Sequence, residues 1–129
     1  MANKHSALYL EGAPEAALDI HDRARELSDL DFQVVSPWHG KPGSSLREEI
    51  LKLVGCDIML LFPGGARQST WVKVGFAAAS GLRIICVGGA GLAPDLKQFF
   101  SFTVESWDDL ARNNFLKLGD GFYRKLTRT

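Results

Sequence analysis

The chain has 129 residues, one domain by length, with 46% apolar and 23% charged side chains. Fifteen basic side chains balance fifteen acidic ones, so charge gives no reason to expect nucleic acid or an anionic membrane as partner. Cys56 and Cys86 sit in or beside apolar runs and read as buried free thiols, while His5, His21 and His39 are scattered without metal-ligand spacing. No apolar run approaches the roughly 20 residues of a membrane span. The opening Met1-Ala-Asn-Lys-His has no signal-peptide core. The expectation is a cytoplasmic protein with reduced thiols, no metal and no cofactor.

Ala7 to Leu10 is a short apolar run that predicts the first strand. It stops at Glu11-Gly12-Ala13-Pro14, and Glu15 to Leu30 follows as a helix with Leu18, Ala24, Leu27 and Leu30 on its apolar face. Phe32 to Val35 is the second strand. The interval from Ser36 to Ser45 carries Pro37, Trp38, His39 and Pro42, and a long loop in a compact domain is often a binding loop. Ser45 with Glu48 matches a capping box for a second helix reaching about Gly55, its core face formed by Leu46, Ile50, Leu53 and Val54.

Asp57 to Phe62 shows no polar alternation, as expected of a central strand covered on both faces. After Pro63-Gly64-Gly65, Ser69 or Thr70 can cap a third helix from Trp71 to Ser80. Its Gly75, Ala77, Ala78 and Ala79 permit close approach to a sheet, and Gly81 is a natural stop. Arg83 to Val87 is the fourth strand. A short helical piece around Pro94 to Phe99 leads to a fifth strand at Phe102 to Val104, and Ser106 with Asp109 starts the last helix. The segment 113–129 is a C-terminal extension of a core spanning 7–112, with apolar Phe115, Leu116, Leu118, Phe122 and Tyr123 suited to packing on the body or on another subunit.

The sum predicts a single three-layer flavodoxin/Rossmann-like α/β domain with a five-stranded parallel sheet in the order 2-1-3-4-5. Three turns then share the carboxyl edge, where such folds bind ligands: Glu11 to Pro14, Pro37 to Ser45, and Pro63 to Thr70. The third offers the amides of a helix N-terminus with the Ser69 and Thr70 hydroxyls, a setting suited to an anion. Neither the phosphate-loop Gly-Lys-Ser/Thr nor Gly-x-Gly-x-x-Gly is present.

Tyr9-Leu10-Glu11-Gly12, Gly55-Cys56-Asp57 before an apolar strand, and Ser69 to Ala77 followed by Gly81 and Ile84-Ile85 together resemble the nucleoside 2-deoxyribosyltransferase-like family, which includes nucleoside monophosphate N-glycosidases. The resemblance covers about Leu8 to Leu110. It implies a nucleoside or nucleotide as small-molecule ligand, cleavage or transfer at the N-glycosidic bond, and a homo-oligomer. It implies an orienting role for Tyr9 and a sugar or phosphate contact for Ser69. Asp57 would be a structural or site carboxylate. Around these, Glu11, Gly12, Trp38, His39, Gly64, Gly65, Arg67 and Thr70 complete the expected binding set.

One departure stands out. The helix position at which the family carries its nucleophilic glutamate is Lys73 here. An ammonium cannot form the glycosyl ester that a carboxylate forms, and its charge opposes an oxocarbenium-like centre. Three readings follow: a noncatalytic relative in which Lys73 and Arg67 favour anionic groups, a glycosidase whose carboxylate is Glu11, Glu48 or Glu49, or an inactivating replacement at position 73. Pro63-Gly64-Gly65 after an apolar strand is also similar to the turn of lysine-decarboxylase-like phosphoribohydrolases, whose own glutamate is again missing here.

Overall fold

Apolar runs separated by Gly- and Pro-rich turns leave the chain little choice but a buried parallel sheet. The computed structural model describes residues 7–29, 32–37, 45–89 and 91–112. The extension 113–129, and Trp38 and His39, lie outside them. Strands β1 (Ala7–Gly12), β2 (Gln33–Val35), β3 (Ile58–Phe62), β4 (Arg83–Val87) and β5 (Phe102–Val104) form one parallel sheet in the order β2-β1-β3-β4-β5. The helices are α1 (Ala17–Asp29, entered through a single 3-10 turn at Pro14–Ala16), α2 (Leu46–Leu53), α3 (Gln68–Ala79), α4 (Pro94–Lys97) and α5 (Trp107–Arg112). This is the expected architecture and strand order.

Strand alternation divides the core in two. Leu8 and Leu10 of β1 join Ile58, Leu60 and Phe62 of β3 on one face, under Ile20, Ala24 and Leu27 of α1 and Trp107 and Leu110 of α5. Tyr9, Met59, Leu61, Ile84 and Cys86 point to the other face, under Leu53 of α2 and Val74 and Ala77 of α3. Each of the Leu, Ile, Val, Phe and Met side chains among them stabilises the fold by about 1.5–3 kcal/mol. At the far corner, the Trp107 indole donates to Glu26 Oε1 at 3.1 Å, stacks on Phe62 at 6.1 Å and carries the Arg23 guanidinium over its ring.

Several local expectations shift. Leu18 is 78% exposed, and Ile20 supplies the apolar contact instead. On α2 only Leu53 is fully buried, and Leu46 and Val54 face outward. Its capping box forms as expected, with Ser45 Oγ accepting from the Glu48 amide at 3.1 Å and Glu48 Oε1 accepting from the Ser45 amide at 2.9 Å. Helix α3 starts earlier than expected, because Arg67 occupies the N-cap. Thr70 therefore lies inside the first turn, where its hydroxyl accepts from the Arg67 amide at 3.3 Å. The Gly75 Cα faces open space and is not a helix–sheet contact. Asp57 accepts from the Ala7 amide at 3.0 Å at the amino edge of the sheet, so it ties β1 to β3 and stands away from the carboxyl edge. Among the described residues no helix is long and apolar enough to cross a membrane.

Candidate ligand-binding site

The site follows from two periodicities. Tyr9 and Glu11 are two apart on β1, so both project to the face covered by α2 and α3. Thr70, Lys73, Val74 and Ala77 recur at helical spacing and form the buried stripe of α3. The packing that places Val74 and Ala77 on the sheet thus carries Thr70 and Lys73 inward, beside Glu11 at the end of β1.

Lys73 is a core residue, 3% exposed. Its Nζ lies 2.6 Å from Oε1 of Glu11, itself 2% exposed, and 2.7 Å from Oε1 of Glu49 on the first turn of α2. The contact to Glu49 is a well-formed hydrogen bond. That to Glu11 lacks hydrogen-bond alignment at Oε1, so it is chiefly Coulombic. Thr70 donates its hydroxyl to Glu11 Oε2 at 3.2 Å. The Tyr9 ring lies beneath the cation, its centroid 5.8 Å from Nζ, within cation–π range.

Burial raises the Glu11 carboxyl above its ordinary range, and the opposing pull of Lys73 and Thr70 does not cancel it. Burial pushes the Tyr9 phenol far upward too, with Glu11 and Glu49 adding to the rise. The Tyr9 hydroxyl has no hydrogen-bond partner among the described residues. Burial therefore keeps it a protonated donor, and no carboxylate accepts from it among the described residues. Glu48 is committed to the cap, which holds its carboxyl below the usual range through the Ser45 amide and hydroxyl.

Above this cluster lies a cleft of about 150 Å³, walled by Glu11, Gly12, Ala13, Pro14, Pro37, Glu49, Arg67, Ser69, Thr70 and Lys73. Residues from all three expected turns meet there. Gly12 permits the close approach of β1 to its neighbours, since a Cβ there would stand 2.6 Å from Ile20 Cδ1 and 3.3 Å from the Phe62 carbonyl. Gly64 and Gly65 do not line the cleft. They form the turn behind it, with Gly65 in the left-handed region at φ 70°. The addition the sequence left open among three carboxylates is Glu49. Its signal was its place on the first turn of α2, beside the capping glutamate. Among the described residues no cluster of His, Cys, Asp and Glu is arranged to hold a metal ion.

Chemically, the cluster combines two carboxylates, one ammonium and a buried phenol, with Arg67 and Ser69 at the start of α3. Lys73 is held by two carboxylates. Both oxygens of Glu11 are engaged, by Lys73 and Thr70.

No family model matches the chain, and no curated protein matches it in sequence. Among solved structures it is similar to the Clostridium botulinum CMP N-glycosidase BcmB, with a TM-score of 0.63 over 87% of this chain and 99% of that one. The two are 18% identical, so the likeness is one of fold.

Proposed function

We propose that this cleft binds a nucleoside or nucleotide, and that the chain is a nucleotide-binding protein built on an N-glycosidase-like fold in which attack by a residue at position 73 is closed. The observation that carries this reading is the burial of Lys73 between Glu11 and Glu49 at the floor of the cleft. A glutamate-for-lysine exchange on a solvated surface would leave the lysine free. Here the lysine is matched by two carboxylates and an aromatic ring, so the site is rebuilt around a cation. The fold neighbour is a CMP N-glycosidase, and the ligand class is taken from it and from the motif resemblance. Arg67, Ser69 and the amides at the start of α3 would receive the phosphate. Glu11, Gly12 and Thr70 would border the sugar. Tyr9 supports Lys73 from below.

A second reading has one observation in its favour. Glu49 lines the cleft, its side chain 17% exposed. As a general base it would activate water for hydrolysis of the N-glycosidic bond without a covalent intermediate.

The test is a thermal-shift screen of nucleosides and nucleoside monophosphates, followed by chromatography of each hit for released base. A ligand at a hundredfold excess over its dissociation constant stabilises the fold by about 2.7 kcal/mol. The expected result is a shift without released base. Released base that disappears in Glu49→Gln would establish the second reading, and no shift with any of these compounds would overturn both. Self-association, the homo-oligomer implied by the resemblance, is measured independently by sedimentation velocity.

A further inference from the structure

We infer that the cleft prefers a nucleotide whose base is positively charged, such as a pyridinium N-glycoside 5′-phosphate, over one with a neutral base. This rests on the nucleotide-binding reading above and names the ligand class within it.

The cleft is walled by Arg67 and the start of α3, both suited to an anion. It is walled also by Glu11 and Glu49, which surround the single ammonium of Lys73. Two carboxylates share one cation, in a place where Glu11 and Lys73 are almost wholly removed from water. Charges in such a setting are weakly screened. One further positive charge is therefore favourable there. A proton on Glu11 can supply it, and so can a ligand cation.

With both carboxylates ionised, two negative charges face the one ammonium of Lys73. Burial raises the Glu11 carboxyl, and the ammonium 2.6 Å away does not cancel that rise. Burial raises the Tyr9 phenol as well, and the nearby Glu11 and Glu49 charges add to the rise.

A phosphate joined to a cationic ring makes a ligand with a counter-charge for each group in the wall. A neutral-base nucleotide satisfies only Arg67 and the start of α3. A nucleoside with a cationic base satisfies only the carboxylates.

The test compares nicotinamide mononucleotide with its reduced form by titration calorimetry on the intact chain. The two share sugar and phosphate and differ chiefly in the charge of the ring. The expected result is about tenfold or tighter binding of the oxidised form, with the ratio falling toward one in Glu49→Gln. Equal affinity for both forms, or preference for the reduced form, overturns the inference. Cytidine monophosphate serves as the third ligand. If it and both forms bind alike, the charge preference falls while the nucleotide-binding reading stands. If none of the three binds, both fall together.

Discussion

The Lys73 ammonium and the Glu11 carboxylate stand 2.6 Å apart at the junction of β1 and α3, each almost fully buried. A pair of this kind is costly to desolvate and costlier to break, because removing one partner leaves the other charged and unpaired. Lys73→Met should therefore destabilise the fold by about 3–5 kcal/mol, measured by urea denaturation at neutral pH. Lys73→Met combined with Glu11→Gln should recover part of that loss, because the orphaned carboxylate is gone. Strict additivity of the two changes would show that the residues do not interact.

Stability should depend on pH through Glu11. Its folded-state pKa lies above the ordinary value of 4.5 because of burial. Between those two values the folded chain holds a proton that the unfolded chain has released. The Glu11 contribution is thus fully present below about pH 4.5 and is lost as pH rises through the folded-state value. Midpoints of urea denaturation across this range should fall more steeply for the wild type than for Glu11→Gln. Parallel profiles would remove Glu11 as the titrating group.

Lys73→Glu should not create an N-glycosidase. It replaces the one cation between Glu11 and Glu49 with a third carboxylate, and like charges at that distance force protonation or displacement. The expected variant is less stable than Lys73→Met and releases no base from nucleoside monophosphates. Base release by the single variant, followed chromatographically, would show that the surrounding carboxylates tolerate the exchange.

Gly12→Ala tests the packing behind the cleft. The added methyl would meet Ile20 Cδ1 at 2.6 Å, and overpacking of this kind costs about 1–3 kcal/mol. Ile20→Val removes that carbon at a cost of about 0.5–1.5 kcal/mol. The double variant should then be more stable than Gly12→Ala alone in thermal unfolding. A double variant with summed losses would place the strain at the Phe62 carbonyl.

Cys56 and Cys86 should resist thiol reagents in the folded protein. Both are buried, and burial pushes each thiol up to about 11, so little thiolate forms at neutral pH. Modification should track unfolding in denaturant. Rapid labelling under native conditions would contradict their burial.

The sheet was legible in the sequence because five apolar runs alternate with helices at parallel-sheet spacing. The Ser45–Glu48 cap was legible for the same local reason, since two side chains three apart suffice to form it. Lys73 was harder. Its neighbours Val72 and Val74 suggest either facing, and only the helix phase set by Val74 and Ala77 decides that 70 and 73 turn inward. Ser69 and Thr70 look like caps by residue type, whereas Arg67 has the extended backbone that the cap requires. Leu18 and Leu46 fit the apolar faces of their helices by spacing, yet they are 78% and 38% exposed. Glu49 illustrates what local pattern omits: its partner is 24 residues away on another helix.

That separation also bears on how the protein assembles. The contacts that unite the cleft close loops of 59 residues between Glu11 and Thr70 and 24 between Glu49 and Lys73. Contacts this distant along the chain form only after nearer ones have reduced the entropy of closing them. The three charges then remain hydrated until β1, α2 and α3 have met, and their dehydration falls near the end of folding. Changes at Glu11, Glu49 or Lys73 should accordingly alter the unfolding rate and leave the refolding rate nearly untouched.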